Sequence, residues 1–302
     1  MEKIKKIGFV GVGTMGNAMA KNLINKGFSV VAYDIVEERI HAVEEAGGIP
    51  ASSPREAAKE AQAVITMLPS SPDVEQAVLG KDGIIEGMAE GAIYIDMSTI
   101  DPMTTRKIAK MLSEKKIEML DSPVTKGVDA AIQGTLTLLI GGKKDVFEKV
   151  RPVLEAMGSN LYHMGEVGTG SATKLVNNLC VGIITAATAE AFVFGAKAGV
   201  DPDKLFEAIS GGSGSSFVLN KHIKNYSLKR KFDEVIFPVD YIMKDIGLAM
   251  KTAKELNMPL MIASFVYEIY AMLKAKGRGK GYHPEVITIF EDYAGIEVKG
   301  KE

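Results

Sequence analysis

The chain has 302 residues, 46% of them hydrophobic, which is enough for two domains that each bury a core. Its 36 lysines and arginines nearly balance 38 aspartates and glutamates, and without a long basic block we expect no nucleic acid partner. The sequence contains no run of about 18 uninterrupted apolar residues, so we expect no membrane-spanning segment. A single cysteine excludes an intrachain disulfide, and the start of the chain does not resemble a signal peptide, so the expected location is cytoplasmic.

The first half of the chain, to about residue 163, alternates short apolar runs with amphipathic stretches of helical period. This alternation is typical of a parallel sheet with crossover helices. The strand candidates are IGFVG, SVVAYD, AVITMLP, AIYIDMS and IEMLDSP, followed by GTLTLLIGG and NLYHMG. Several are apolar on both faces, as buried parallel strands are. The prediction is a doubly wound, mostly parallel sheet with flanking helices over residues 1–164.

The second half has a different pattern. The stretch SATKLVNNLCVGIITAATAEAFVFGAKAG predicts one long, largely buried helix, and Cys180 within it is expected to be a small buried side chain. The segments DPDKLFEAIS, VDYIMKDIGLAMKTAKELN, PLMIASFVYEIYAMLKAKG and PEVITIFEDYAG also carry the helical period. Residues 165–302 are therefore predicted to be a second domain, with a long connecting helix and an all-helical remainder.

Gly11, Gly13 and Gly16 have the G-x-G-x-x-G spacing where the first predicted strand gives way to a helix. In this context the first glycine allows the turn, the second lets a pyrophosphate approach, and the third packs helix on strand. An ordinary tight turn can show the same spacing. Asp34, which ends the next strand, strengthens the dinucleotide interpretation because an acid near this distance bonds the adenosine ribose.

These features predict an α/β Rossmann domain that binds NAD. A carboxylate at Asp34 would repel the 2′-phosphate of NADP, and the next arginine, Arg39, is five residues further on. The segments TMLPSSPDV and DMSTI follow later strands and would reach the same edge of the sheet. The alternative for DMST is a helix N-cap, because Ser98, Thr99 and Asp101 are all good capping residues. The predicted cofactor contacts are Gly11, Val12, Gly13, Thr14, Met15, Gly16, Asp34, Leu68, Pro69 and Thr99.

Lys174 and Asn178 are four residues apart in the predicted long helix and so lie on one face. Interconversion of a hydroxyl and a carbonyl needs a group that exchanges a proton and a second that orients the oxygen. Most lysines simply extend from a helix surface, but the apolar neighbours of Lys174 argue against this. The preceding GTG is expected to free the backbone for a ligand. Asn177 either serves the substrate or bonds a loop.

Five segments, GFVGVGTMG, DMSTI, DSPVTKG, GTGSATKLVNN and VDYIMKDIGLA, occur in an order that resembles the β-hydroxyacid dehydrogenase family over nearly the whole chain. That family includes 3-hydroxyisobutyrate dehydrogenase, tartronate semialdehyde reductase, 2-hydroxymethylglutarate dehydrogenase, succinic semialdehyde reductases and sulfolactaldehyde reductase. The resemblance implies a Rossmann domain, a long helix and a helical domain that helps form a homodimer or homotetramer.

The resemblance also implies roles for individual residues. Lys174 would match the catalytic lysine of the family and Asn178 its substrate-orienting asparagine. Thr125 and Gly127 would lie in the turn that holds the acid group of the substrate, and Lys244 would match a lysine that reaches the cofactor. The expected reaction is NAD-dependent interconversion of a short anionic β-hydroxyacid and its semialdehyde.

Lys126 is a departure from the family, because the common pattern PVSGG has glycine there. Sulfolactaldehyde reductases have a cation at this position, an arginine, so Lys126 is expected to bind a carboxylate or sulfonate as a point charge. A solvated lysine beside the pocket is the alternative.

Other types of site have weaker support in the sequence. His41, His163, His222 and His283 include no pair at metal-ligand spacing, so we expect no metal. The competing classes are a dinucleotide-sensing protein that has lost catalysis and, among enzymes, an imine reductase.

Overall fold

A computed structural model describes residues 4–301 of the chain. The chain divides into two compact units, one ending at Lys174 and the other beginning at Leu175. The sequence-based boundary between residues 164 and 165 lies shortly before this division, because the first turn of the long helix stays with the sheet.

The first unit is built on one nine-stranded sheet in the described residues. The seven predicted strands are all present, and two strands of two residues each were not predicted because so short a segment shows no period. The strands are β1 (Lys6–Val10), β2 (Ser29–Tyr33), β3 (Ile49–Pro50), β4 (Ala63–Thr66), β5 (Ile93–Asp96), β6 (Glu118–Asp121), β7 (Val124–Thr125), β8 (Leu136–Gly141) and β9 (Gly158–Gly165).

The spatial order β3-β2-β1-β4-β5-β6 is the strand order of a Rossmann fold, and these six strands are parallel. β8 pairs antiparallel with β6 and β7, and β9 runs parallel to β8. The predicted Rossmann class is confirmed. The order also places the switch point between β1 and β4, where such sheets bind ligands.

Helices cover both faces of this sheet, and alternate residues of one strand enter different cores. Phe9 belongs to one buried cluster and Val10 to the other, as do Ile65 and Val64 of β4. The helices are α1 (Thr14–Asn25), α2 (Glu37–Glu44), α3 (Pro54–Ala58), α4 (Ser71–Leu79), α5 (Ile84–Gly87), α6 (Pro102–Ser113), α7 (Val128–Gln133) and α8 (Lys144–Glu155).

The second unit is helical in the part described, as predicted, around a core that includes Phe192, Ile242 and Tyr270. Its helices are α9 (Thr169–Lys197), which begins in the first unit, α10 (Pro202–Ser210), α11 (Val239–Glu255), α12 (Met261–Leu273) and α13 (Ile287–Ala294). Two π-helical segments, Leu219–Ser227 and Lys274–Arg278, and a 3₁₀ turn, His283–Val286, complete it.

The long helix α9 is less buried than its sequence predicted. Val176 and Phe194 are 59% and 75% exposed, and Cys180 is exposed as well, so the expectation of a buried cysteine is wrong. The reason is that α9 is apolar on all sides, which hides from the sequence which side packs. Among the described residues α9 is also the one helix long and apolar enough to cross a membrane, a property that core helices of soluble proteins share.

Two buried histidines form a cluster in the second unit. The Tyr282 hydroxyl lies 2.6 Å from Nδ1 of His222, and the rings of His222 and His283 have centroids 5.0 Å apart. Burial lowers the pKa of His222 to about 4 and the pKa of His283 well below its usual value. Both rings are therefore neutral in the folded protein at neutral pH.

This cluster predicts a loss of stability in acid. A histidine with a lowered folded pKa contributes stability that is present above about pH 6.5 and is lost as the pH falls through its folded pKa. For His222 the loss between pH 6.5 and about 4 is on the order of 3 kcal/mol. Urea unfolding across this range checks it: His222→Gln, whose amide is able to bond the Tyr282 hydroxyl, should flatten the pH dependence of the free energy of unfolding, and His41→Gln at an exposed site should not. An equal slope for His222→Gln and the wild type would contradict the prediction.

Candidate active site

The carboxyl ends of the parallel strands meet at one edge of the sheet, and most of the predicted contacts of the first unit lie in the loops that follow them. Residues 11–16 follow β1, Asp34 follows β2, residues 67–69 follow β4 and residues 97–99 follow β5. The turn of Thr125, Lys126 and Gly127 lies beyond β6. The topology thus brings the predicted cofactor and substrate loops to one edge.

The turn after β1 has a distinct use for each glycine. Gly11 has φ +92°, and a Cβ there would lie 2.5 Å from the Met67 carbonyl oxygen. A Cβ on Gly16 would lie 2.0 Å from the Gly11 carbonyl oxygen, so this glycine permits contact of α1 with β1. A Cβ on Gly13 would have only one neighbour within 4 Å, Arg39 Nη1 at 3.9 Å. The second glycine therefore faces open space, as close approach of a pyrophosphate requires.

The start of α1 also fits an anionic group. Thr14 and Met15 begin the helix, Val12 is buried in the turn, and no side chain of the described chain caps the first turn. Free backbone N–H groups and the helix dipole favour a negative charge at this position.

Asp34 is fixed beside this turn by three groups. Its Oδ2 accepts from the backbone N–H of Val12 at 2.9 Å, and its Oδ1 accepts from the N–H of Val36 at 3.0 Å. Arg39 Nη1 lies 3.3 Å from Oδ1. The carboxylate is thereby linked to the phosphate-binding turn, and Oδ2, which has one donor here, keeps a lone pair for a ribose hydroxyl. The contact with Arg39 could not be predicted from its spacing in the sequence.

The loops after β4 and β5 are joined through buried polar groups. Ser98 Oγ accepts from the N–H of Leu68 at 2.9 Å, and Asp96 Oδ1 accepts from Thr66 Oγ1 at 2.8 Å. Burial raises the pKa of Asp96 to about 6. Asp101 is the N-cap of α6, which it caps through Met103 N–H. The alternative of a helix N-cap in this segment is therefore confirmed for Asp101, whereas Ser98 and Thr99 do not cap the helix. Thr99 is half-buried and Pro69 exposed.

The expected substrate turn has unusual backbone geometry at Lys126. Thr125 pairs with Thr137 of β8, and Gly127, with φ +78°, precedes α7. Lys126 has φ +88°, which side-chain-bearing residues rarely adopt, and its exposed Nζ donates to the Thr135 carbonyl oxygen at 3.2 Å. The cation therefore lies beside the turn and contacts the chain just after α7.

Lys174 lies half-buried in α9, about one and a half turns from its start. Gly168 and Gly170, which precede Lys174, were expected to free the backbone for a ligand, but they pack against protein atoms. A Cβ on Gly170 would lie 2.2 Å from the Leu139 carbonyl oxygen, and one on Gly168 would lie 3.0 Å from Arg106 Nε. These glycines make room for protein atoms, so the interpretation of GTG as backbone freed for a ligand is wrong.

Asp121, at the end of β6, holds the start of this helix and was missed by the sequence analysis. Its Oδ1 accepts from Gly168 N–H at 2.7 Å and its Oδ2 from Ser171 N–H at 2.6 Å. The side chain is fully buried, and this burial raises its pKa. The one available signal was a carboxylate at the end of an apolar strand.

In the second unit, Asn178 is buried and held from both ends of its amide. Its Nδ2 donates to Asp245 Oδ2 at 2.5 Å, and its Oδ1 accepts from Asn177 Nδ2 at 2.9 Å. Lys244 Nζ lies 3.2 Å from Asp245 Oδ1. Asp245, which sequence reasoning left without a role although it follows Lys244, therefore orients the predicted substrate-orienting amide. Asn177 was expected either to serve the substrate or to bond a loop, and in the structure it donates a hydrogen bond to Asn178 instead.

Comparison with known proteins agrees with this arrangement. Residues 6–165 match the family described as "NAD binding domain of 6-phosphogluconate dehydrogenase", and residues 168–290 match "NAD-binding of NADP-dependent 3-hydroxyisobutyrate dehydrogenase". The first match alone spans over half of the chain. The chain belongs to the β-hydroxyacid dehydrogenase family. Its cofactor is a nicotinamide dinucleotide, and it is a hydroxyacid dehydrogenase.

Individual relatives cover most of the chain. The 2-(hydroxymethyl)glutarate dehydrogenase of Eubacterium barkeri is 37% identical over 99% of both chains, and human mitochondrial 3-hydroxyisobutyrate dehydrogenase is 35% identical over 91% of this chain and 83% of its own. The structure of Mycobacterium tuberculosis 3-hydroxyisobutyrate dehydrogenase with L-serine has a TM-score of 0.87 at 29% identity, over 94% of this chain and 98% of that one. An imine reductase of Bacillus cereus, 19% identical with a TM-score of 0.63 over 95% and 99% of the two chains, shares the fold.

Two glycine variants are predicted to separate cofactor binding from folding. Gly13→Ala should leave the free energy of unfolding within about 1 kcal/mol of the wild type and weaken NADH binding tenfold or more, since its Cβ enters only the space expected for the pyrophosphate. Gly16→Ala should destabilise the fold by about 1–3 kcal/mol because its Cβ overlaps a backbone oxygen. Urea unfolding and NADH fluorescence titration measure the two effects. Wild-type NADH affinity in Gly13→Ala would contradict the assignment.

Proposed function

We propose that the protein interconverts a short anionic β-hydroxyacid and its semialdehyde with NAD(H), and that the substrate is of the 3-hydroxyisobutyrate or tartronate semialdehyde type. The observation that carries the proposal is the pairing in α9 of Lys174 with Asn178, one turn later, whose amide is fixed by Asp245. The relatives support the substrate class, and L-serine, found with the Mycobacterium tuberculosis enzyme, is itself a short β-hydroxyacid.

Lys174 is the proposed proton donor and acceptor. A bound nicotinamide dinucleotide supplies or accepts the hydride. In the reductive direction the Lys174 ammonium gives a proton to the carbonyl oxygen of the substrate as the alcohol forms, and in the oxidative direction its amine takes that proton back. General acid–base help of this kind is worth about 10²–10⁴ in rate.

Asn178 is proposed to hold the substrate for that proton transfer. An amide nitrogen carries two hydrogens, and one of them is directed at Asp245. The second hydrogen remains for an oxygen of the substrate. Because both ends of the amide are already bonded, its orientation is set before the substrate arrives, and little reorganisation is needed.

The turn of Thr125, Lys126 and Gly127 is proposed to bind the acid group through a hydroxyl, a cation and a backbone N–H. For Lys126 to do so, its Nζ would exchange the Thr135 carbonyl oxygen for the substrate. A sulfonate would be held by the same point charge, so a sulfolactaldehyde reductase is the second candidate, and the exposed cation in the turn is the observation that favours it.

NAD is the proposed preference over NADP. The supporting observation is the fixed, buried carboxylate of Asp34 next to the phosphate-binding turn, which suits ribose hydroxyls and repels a phosphate. Arg39 already pairs with Asp34, and its positive charge therefore offsets part of the repulsion between this carboxylate and a phosphate. Lys244 is proposed to contact the cofactor.

Replacement of Lys174 tests its proposed role as the proton donor. Lys174→Ala should lower turnover by about 10²-fold or more and leave NADH binding within about twofold. Lys197→Ala, at the other end of the same helix, is the matched control and should retain turnover. The measurements are NADH oxidation and fluorescence titration. Near wild-type turnover in Lys174→Ala would remove its role as proton donor.

Variants of Lys126 test the acid-binding turn. Lys126→Gln removes the charge and keeps a polar side chain one atom shorter, so KM for the semialdehyde should rise about tenfold or more while KM for NADH stays unchanged. Lys126→Gly should raise KM similarly and also stabilise the fold by about 1 kcal/mol, because glycine adopts positive φ readily.

The substrate panel for these variants is succinic, tartronate, methylmalonate and sulfolactate semialdehydes, each with NADH and with NADPH. The substrate preferred by the wild type identifies the subfamily. An unchanged KM in Lys126→Gln for every member would show that Lys126 belongs to the solvent-exposed surface.

A further inference from the structure

We infer that Asp121 is a positioning residue for the reaction: its buried carboxylate fixes the first turn of α9 and thereby holds Lys174 where the proton is transferred. This inference rests on the proposed role of Lys174. It assigns Asp121 no contact with the substrate or the cofactor.

The carboxylate bonds the start of α9 at two points. Gly168, just before the helix, and Ser171, inside its first turn, both donate backbone N–H groups to it, at 2.7 and 2.6 Å. Backbone N–H groups at a helix start have no partner within the helix, and a negative charge there is favoured by the helix dipole. One residue from a strand therefore does what a local capping side chain ordinarily does, and it links the helix start to the sheet.

Close packing surrounds the Asp121 carboxylate. A Cβ on Gly141, which pairs with Asp121 in the sheet, would lie 2.4 Å from Asp121 Oδ1. A Cβ on Gly170 would lie 2.8 Å from the carbonyl oxygen of Asp121. The backbones of β6, β8 and α9 thus meet around this side chain at distances that only glycine allows.

A third connection joins the same turn to α6. Ser171 Oγ lies 3.2 Å from Thr105 Oγ1, which in turn donates to the Asp101 carbonyl oxygen at 3.3 Å. Asp101 begins α6, directly after the loop that carries Thr99. On its other side, Asp121 precedes the turn of Thr125 along the chain. The carboxylate therefore lies between two predicted ligand loops and the helix that carries the proton donor.

The buried charge of Asp121 indicates that this side chain does more than fill space. A carboxylate that is fully buried is desolvated at considerable cost, and Asp96 lies opposite it on the neighbouring strand. A neutral side chain would fill the same space without that cost. What the carboxylate adds is two short, charge-assisted bonds that fix both sides of the helix start.

Asp121→Asn tests the inference because the amide keeps the shape but turns one acceptor into a donor. We expect kcat to fall about tenfold to a hundredfold, as misplacement by about 1 Å can do, with KM for the semialdehyde and Kd for NADH within about twofold. A kcat within twofold of the wild type would overturn the inference. So would a loss of NADH affinity equal to the loss of kcat, because that would indicate general damage to the fold.

Two further serine variants keep the test decisive if Asp121→Asn does not fold. Ser171→Ala removes the hydroxyl that contacts Thr105 and also bonds the Asp121 carboxylate, while the backbone N–H bond to Asp121 stays. It should lower kcat severalfold with NADH Kd unchanged, and no effect would overturn the inference. Ser122→Ala is the matched control, since Ser122 is equally buried and its Oγ has no hydrogen-bond partner within residues 4–301. It should retain kcat. A failure of the proposed function is distinguished by another result, because Lys174→Ala would then keep near wild-type turnover.

Discussion

Two buried hydrogen bonds, from Gly168 and Ser171 at the start of α9 to Asp121, connect the sheet to the helix that carries Lys174, the proposed proton donor. The cofactor loops are placed by the parallel strands, whose carboxyl ends share one edge. Lys174 lies on a helix instead, whose start is held to the sheet by these bonds. The proposed chemistry therefore depends on this bond pair as much as on the lysine itself.

Much of the fold could be predicted from sequence because the information is local. The glycines after β1 and Asp34 after β2 are close in the chain, and their spacing reflects geometry that the structure contains. The seven longer strands were found by their apolar runs. β3 and β7 were not, since two residues show no pattern.

The predicted site was incomplete where partners are distant in sequence. Asp245 bonds Asn178 from 67 residues away, and Asp121 bonds Ser171 from 50 residues away. Neither pairing leaves a periodic signal. Burial of α9 was predicted wrongly for a related reason, because an all-apolar helix does not indicate which face packs, and Val176 proved to be exposed.

Lys126 shows how a departure from a family pattern can be weighed physically. Its φ of +88° is one that glycine, the common residue there, adopts without strain. Retaining a lysine at that position costs on the order of 1 kcal/mol, which gives a reason to look for a compensating role in binding. The hydrogen bond from Lys126 to the Thr135 carbonyl oxygen offsets little of that strain, whereas an ion pair with an anionic substrate would offset more.

The central claim is that Lys174 exchanges the proton at the reacting oxygen. A crystal structure of the enzyme with NAD⁺ and a β-hydroxyacid substrate tests it most directly. The account predicts Lys174 Nζ within about 3 Å of the substrate hydroxyl, with Asn178 Nδ2 bonded to the same molecule. A substrate hydroxyl bonded to another titratable group, with Lys174 directed elsewhere, would contradict it.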